Sequence, residues 1–288
     1  MQLSNVADAG EAASMTNLWQ WLDWLQTSED IVREEGLESL FLNATTVCNL
    51  RTITDYIAYR RYGFPRDTTL DEIHFVMVDP KSIQLDFRSM PLPLLGEHAV
   101  IGCGGGNWDR STIRFDEKSV VKAIRERFIE GISWSETSQY RLAITRADRG
   151  LPAWNDCRTR EDIDRRCDYL DDLFASILEH GYKSQQELFE EAHSDDFAPF
   201  VHRVDNCILP DELRLAISRD GELIRIAHGR HRLAIAQILD IDQIPAIIQI
   251  IHRDLGQSPE ELPGVTPIDT DAYRDLIWQI DSLEHDSN

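Results

Sequence analysis

Four side chains that are or can become cationic stand within five consecutive positions late in the chain: His228, Arg230, His231 and Arg232. Gly229 lies among them, and the apolar spacing that follows predicts a helix over 230–239, so the four groups would lie at its N-terminus. Positive side chains are slightly unfavourable there, but helix N–H groups and arginine side chains both donate to phosphate oxygens. The pattern therefore indicates an anion site. The alternative is that these groups pair with surface carboxylates.

The elements that would position these cations are visible in the periodicity. Residues 213–218 and 222–227 alternate apolar and polar side chains across a turn at 219–221, which is typical of a β-hairpin. After the helix, the apolar run 245–251 indicates a buried strand. A strand, a helix and a strand joined by short links predict a right-handed βαβ unit whose two strands are parallel.

Parallel strands have a consequence for the site, because both would end at one edge of the sheet. His228 ends the first strand and His252 ends the second, so we expect them to lie side by side. Ligands of open α/β sheets bind at that edge, and Gly229 lets the backbone approach them closely. We therefore count His252 among the ligand-binding residues. With His231, these histidines lack the helical spacing of zinc ligands and have arginine neighbours, so no metal site is predicted.

A second candidate region is the glycine-rich run GCGGGNWDR at 102–110. It lacks the third glycine of the dinucleotide-binding fingerprint, so a Rossmann site is disfavoured. A ligand close to these glycines would let Trp108 stack on a base or ring and let Asp109 act as a metal ligand or a catalytic base. The alternative is that the run is a structural turn.

The stretch GRHRLAIAQILDIDQIPAIIQI, from residue 229 to residue 250, resembles the nucleotide-binding motif of the ParB/sulfiredoxin superfamily. In that family a Gly-x-[His/Arg]-Arg element opens a helix, and an Ile-Pro pair begins the next strand. The stretch IHFVMVDPKSI at 73–83 is similar to the family's first strand. The resemblance covers 71–84 and 211–253, about a fifth of the chain. It implies an α/β fold with a ParB/sulfiredoxin-like mixed sheet and a C-terminal βαβ unit.

The rest of the chain is expected to surround this core. Residues 1–70 are predicted to be a helical N-terminal segment. A domain over 71–254 would contain the family-like sheet together with a large helical insertion at about 110–193. Residues 255–288 are predicted to be a polar C-terminal tail.

The resemblance implies that Gly229, Arg230, His231 and Arg232 hold nucleotide phosphates. The family includes chromosome-partition proteins that bind CTP, sulfiredoxins that use ATP, and kinases of free serine. The expected cofactor is therefore a nucleotide (CTP, ATP or ADP) with Mg²⁺. Sulfiredoxins carry a catalytic cysteine where this chain has Arg230, which disfavours peroxiredoxin repair. The serine kinases need a catalytic acid after the first strand, and Asp86 is the acid near that position.

Two classes of function stay open. The first is binding of a nucleotide or other phosphorylated small molecule at the HGRHR turn, in a small-molecule phosphotransferase or a nucleotide-dependent switch. The second is a DNA-associated, ParB-like accessory or nuclease-type protein. The first is favoured, because a formal net charge of −22 opposes a broad nucleic-acid surface. If a reaction is catalysed, phosphoryl transfer is favoured over nuclease chemistry.

The amino-acid composition indicates the salt and redox environment in which the protein is expected to work. Asp and Glu number 51 against 29 Lys and Arg, and only four of the cations are lysines, which favours a halophilic protein. Five widely spaced cysteines without a CxxC pair favour reduced thiols in the cytoplasm. No signal peptide is recognised, and no apolar run approaches the roughly 20 residues that a membrane helix needs. No membrane partner is expected, and a homo-oligomer stays open.

Overall fold

In a computed structural model, the structure describes residues 73–87, 101–151, 153–154, 157–191, 201–204 and 207–268, with positions 271, 273, 275 and 277. The N-terminal segment 1–70, predicted to be helical, lies outside the described residues. The described part is a mixed α/β structure, as the sequence predicts. None of the helices described there has the length and apolar character required to cross a membrane.

Eight strands form one mixed sheet, and two others form a separate pair. The strands of the main sheet are β1 His74–Val78, β2 Leu85–Phe87, β3 Gly102–Gly104, β4 Thr112–Arg114, β7 Leu213–Ile217, β8 Leu223–Ala227, β9 Ile244–His252 and β10 Val265–Pro267. The separate pair is β5 Val201–Val204 and β6 Cys207–Pro210. The order across the main sheet is β10-β1-β9-β7-β8-β2-β4, and β3 pairs with β9 beyond the start of β1, at His74.

The strand directions correct the predicted C-terminal βαβ unit. β7 and β8 form the expected antiparallel hairpin, and β9 pairs with β7 in the parallel sense. β8 and β9 therefore run antiparallel, so the prediction that the strands flanking the helix are parallel is wrong. The physical reason is that β7 lies between them: Ala227, at the end of β8, and Ala246, near the start of β9, both lie beside the start of β7.

Five α-helices lie in the described part of the chain. They are α1 Ser119–Phe128, α2 Ser138–Ala147, α3 Arg160–His180, α4 Gln185–Glu191 and α5 Arg230–Ile238. The first four fall within the predicted helical insertion. Thr159 and Asp162 begin α3 with a capping box, and Gly181 ends it in a positive-φ conformation, as expected for a helix stop.

Helices α1, α2, α3 and α5 pack on the sheet and share one apolar core with it. Val121 and Ile124 of α1, Leu170 of α3 and Leu233 of α5 are buried in the same cluster as Leu215 of β7. The opposite face carries Phe75, whose ring stacks on Tyr273 with the ring centres 4.5 Å apart. Burial on both faces explains why β7 and β9 read as nearly continuous apolar runs.

Candidate functional site

The turn from β8 into α5 is built by two residues with left-handed backbone conformations. His228 has a φ of 51°, and Gly229, the N-cap residue of α5, has a φ of 61°. A Cβ atom at Gly229 would lie 3.1 Å from Cα of Leu213, so the position requires glycine for space as well as for conformation. Among the described residues, no side chain caps α5, and its first turn contains no acidic residue. The helix dipole therefore leaves a positive end at this turn.

Three cations converge on one buried carboxylate beside this helix start. Asp86 of β2 is paired in register with Arg225 of β8, and Nε of Arg225 donates to Oδ2 of Asp86 at 2.6 Å. Nζ of Lys118, the residue before α1, lies 3.3 Å from Oδ1 of Asp86. Nε of Arg230, the first residue of α5, lies 3.8 Å from Oδ2. We call Asp86, Lys118, Arg225 and Arg230 the Asp86 cluster.

Burial and neighbouring charges both shift the pKa values in the Asp86 cluster. Burial acts to raise the pKa of Asp86, but the charges of Arg225, Lys118 and Arg230 outweigh it and hold that pKa below its ordinary value. Burial lowers the pKa of Lys118, and the repulsion from Arg230 and Arg225 lowers it further against the attraction of Asp86. A single carboxylate is therefore shared among three cations, one of which is destabilised in its charged form.

The other cations of the HGRHR turn face different partners. Nδ1 of His228 lies 3.1 Å from Oδ1 of Asp211, and Nη2 of Arg232 lies 3.0 Å from Oδ2 of the same residue. Nη1 of Arg232 also lies 3.7 Å from Oε2 of Glu212. The alternative of pairing with carboxylates therefore describes these two side chains, and of the four predicted cations it is Arg230 that reaches the Asp86 cluster.

His231 is half-buried and contacts two neighbouring side chains. Nη2 of Arg166 lies 3.1 Å from its Nδ1, and Nε1 of Trp154 lies 3.4 Å from its Nε2. Burial and then the charges of Arg166, Arg230, Arg225 and Arg232 hold the pKa of His231 well below its ordinary value. The ring is therefore neutral at physiological pH and contributes shape and hydrogen bonding to the helix start.

The residues predicted in the glycine-rich run lie at the other end of β7. His252 follows Ile251, the partner of Ile217 at the end of β7, whereas His228 lies beyond Ala227 at its start. The expected contact between His228 and His252 is therefore wrong, and the antiparallel course of β8 and β9 is the reason.

Hydrogen bonds and an ion pair hold the glycine-rich run against Arg219 and His252. Nε of Arg219 donates to Asp109 Oδ2 at 2.8 Å and its Nη2 to Oδ1 at 2.7 Å. Nε2 of His252 lies 3.0 Å from the carbonyl oxygen of Gly106, and its Nδ1 accepts from the backbone N–H of Asp254 at 3.0 Å. The indole of Trp108 is buried and donates to Gly104. We call Asp109, Arg219, His252 and Trp108 the Asp109 cluster.

Three residues of the site were missed from sequence, and two of them carried a signal. Arg225 lies between Leu223 and Ala227 on the apolar positions of an alternating strand, where a charge requires a partner. Lys118 is one of four lysines and stands directly before a helix. Glu212 carried no local signal: it is buried, its carboxylate accepts from the backbone N–H of Gln185 at 2.6 Å, and burial raises its pKa to about 7.

Comparison with known proteins finds no matching family model, no similar curated protein and no similar solved structure. No group of three or more His, Cys, Asp or Glu side chains suited to a metal ion occurs in the part of the chain that the structure describes. The functional conclusion accordingly rests on the geometry of the Asp86 cluster and of the helix start beside it.

Proposed function

We propose that the protein binds a nucleotide or other phosphorylated small molecule, with a phosphate group at the start of α5. One observation carries the proposal: Lys118, Arg225 and Arg230 converge from three elements on the carboxylate of Asp86, in a chain of formal net charge −22. Cations are scarce in this molecule, so their convergence at an uncapped helix start favours a negatively charged ligand.

Arg230 is the residue best placed to contact that ligand. Its side chain is 36% exposed, whereas that of Arg225 is 3% exposed. Arg225 also donates to the carbonyl oxygen of His228 at 3.4 Å, which ties the turn to the strand. Arg225 therefore holds the turn and Asp86 in place, and Arg230, the first residue of α5, is the more accessible of the two guanidinium groups.

Asp86, predicted from sequence as a catalytic acid, fits a positioning role better. Its side chain is 1% exposed, both oxygens lie within reach of cations, and its pKa is lowered, so it is a poor proton acceptor near neutral pH. For the same reason it does not fit a resident Mg²⁺, since cations already surround it. Any Mg²⁺ would be held by the ligand's own phosphates. The geometry thus supports phosphate binding, in a nucleotide-dependent switch or in a phosphotransferase whose base lies elsewhere.

A thermal-shift panel in molar KCl with Mg²⁺ tests the proposal, using CTP, ATP, ADP, GTP and inorganic phosphate. A ligand at a hundred times its dissociation constant stabilises the folded state by about 2.7 kcal/mol. We expect at least one of these ligands to raise the melting temperature of the wild type and of Arg141→Gln, an exposed arginine of α2. We expect Arg230→Gln to abolish the rise.

The opposite results are equally informative. If none of the ligands shifts the melting temperature, the phosphate proposal is wrong. If retention on DNA falls with salt while these ligands have no effect, the DNA-associated alternative takes its place.

A further inference from the structure

Arg214 of β7 is a buried arginine whose guanidinium lacks an acceptor among the described residues. The residue is 1% exposed, and its Nε and Nη2 are both buried without a hydrogen-bond partner in that part of the chain. Burial lowers the pKa of Arg214 to about 10 against the attraction of Asp211, so the side chain is still charged near neutral pH. A buried charge without a partner is costly, so its presence requires an explanation.

The strand register places Arg214 on the face of the sheet opposite α5. Leu213 and Leu215, on either side of it, belong to the core that the helices share, and successive side chains of a strand point to opposite faces. Arg214 is paired with Ile247 of β9, and Ile247 is paired with Phe75 of β1. The three side chains therefore share a face. Ile247 and Phe75 are buried and apolar, so neither can accept from the guanidinium.

Other arginines of this chain show which group fits the vacant edge of Arg214. In three of them Nε and Nη2 donate side by side to the two oxygens of one aspartate, over distances between 2.7 and 3.0 Å. These pairs are Arg114 with Asp116, Arg127 with Asp171, and Arg219 with Asp109. At Arg214 it is the same two nitrogens that lack an acceptor. One carboxylate would satisfy both donors and neutralise the single charge, whereas a phosphate dianion would leave a negative charge buried.

We propose that Arg214 binds the carboxylate of a small organic acid, on the face of the sheet opposite α5. Nε and Nη2 each donate to one oxygen of that carboxylate. The apolar side chains that share the face, Ile247 and Phe75, favour a ligand whose remaining part is apolar. The inference does not rest on the proposed phosphate site, because it concerns another cation and the other face of the sheet.

The sign of a stability change tests whether the carboxylate comes from a ligand or from the chain. Arg214→Met keeps a long unbranched side chain and removes the charge. Without ligand it should not lower the melting temperature, because no internal partner is lost. Arg219→Met is the matched contrast and should lower it, because Asp109 is left buried without its arginine. If Arg214→Met lowers the melting temperature as much as Arg219→Met does, an Asp or Glu of the chain holds Arg214, and the ligand proposal is wrong.

Thermal shifts with butyrate and benzoate, at constant KCl, test binding directly. We expect at least one of these acids to raise the melting temperature of the wild type and of Arg141→Gln, but not that of Arg214→Met. Butyramide and benzamide have the same apolar parts without the charge and should produce no rise. The proposal is overturned if neither acid produces a rise, if the amides produce an equal one, or if the rise persists in Arg214→Met.

NMR of the arginine Nε–H groups tests the contact without relying on the folding of Arg214→Met. Either butyrate or benzoate should shift one such signal in the wild type, and that signal should be missing from the spectrum of Arg214→Lys. Lysine keeps the charge but cannot make the side-by-side contact, so Arg214→Lys should bind the acid at least tenfold more weakly. Undiminished binding by Arg214→Lys, or a shifted signal that is still present in its spectrum, would exclude Arg214 as the contact.

Discussion

The Asp86 cluster and the Asp109 cluster each contain a buried aspartate paired with an arginine, but they differ in the number of cations around that aspartate. Each holds a buried aspartate whose pKa is lowered mainly by an arginine, against the effect of burial. In the Asp109 cluster Arg219 approaches both oxygens of the carboxylate and also the oxygens of Gly106 and Asn107. Donors and acceptors are matched there. In the Asp86 cluster, three cations face one carboxylate.

The difference shows why a shifted pKa alone does not identify a functional site. The ion pair between Asp109 and Arg219 joins the glycine-rich run to the turn between β7 and β8. The contacts of Arg219 therefore have a structural explanation. Asp86 lies beside three cations, Lys118, Arg225 and Arg230, close to the start of α5. What marks the candidate site is the convergence of these cations from three elements, and the lowered pKa of Asp86 is a consequence of it.

The largest effect expected from this comparison is on stability, through Asp86→Asn. Arg225 would lose the charge partner of its buried guanidinium, and breaking a buried pair on one side costs about 3–5 kcal/mol. Asp109→Asn should cost less, because Arg219 is more exposed and keeps the carbonyl oxygen of Gly106 and Oδ1 of Asn107 as acceptors. Urea unfolding at constant KCl measures both. Equal losses at the two aspartates would remove the distinction between the clusters.

A smaller difference in unfolding free energy is expected between alanine substitutions at two glycines, one beside each cluster. Gly229 and Gly221 both have positive φ, so alanine at either costs about 1–2 kcal/mol from backbone conformation. A Cβ at Gly229 meets the backbone of Leu213 at 3.1 Å, whereas a Cβ at Gly221 meets the end of the Leu262 side chain at 3.1 Å, which can move. Gly229→Ala should therefore lower the unfolding free energy more than Gly221→Ala. A smaller loss at Gly229 would show that the turn before α5 can relax.

Local periodicity predicted the elements well, for physical reasons visible in particular segments. The hairpin of β7 and β8, the helix beginning at Arg230 and the buried strand β9 all follow from spacing and turn residues that act over a few positions. Gly181 ended α3 as predicted, because a positive φ there excludes most other residues.

Strand order and ion pairing could not be predicted in the same way. Whether β9 joins β7 or β8 depends on contacts between segments distant in sequence, and the wrong choice moved His252 to the opposite end of the sheet. The choice of partner for each cation is also a property of the packed structure. Four cations in five residues predicted an anion site, but two of them, Arg232 and His228, pair with Asp211. Two other cations of the Asp86 cluster, Arg225 and Lys118, come from elements outside that stretch.

A pH dependence is also expected, in which two buried carboxylates, Glu212 and Asp109, act in opposite directions. The carboxylate of Glu212 accepts from the backbone of Gln185 and from Tyr273, and it interacts with Arg232, Asp211 and Tyr182. Burial is the main reason that its folded pKa is raised to about 7. An unfolded glutamate has a pKa of about 4.3. Between these values the folded chain holds a proton that the unfolded chain has released. The contribution of Glu212 is therefore full below about pH 4.3 and is lost as pH rises to about 7.

Glu212→Gln should remove this pH dependence, because glutamine does not ionise. The side chain of glutamine still has an oxygen that can accept from the backbone N–H of Gln185. The unfolding free energy of the wild type, relative to that of Glu212→Gln, should fall between about pH 5 and about pH 7 by up to about 1.4 kcal/mol per pH unit. Asp109→Asn should act in the other direction, because the lowered pKa of Asp109 contributes stability that is lost only as pH falls below about 4. Parallel pH profiles for the wild type and Glu212→Gln, measured by urea unfolding, would mean that Glu212 is ionised in the folded protein. In that case the charge of Arg232 is neutralised by the ionised carboxylate of Glu212. The net positive charge near the start of α5 is then smaller than the contacts of the Asp86 cluster alone indicate.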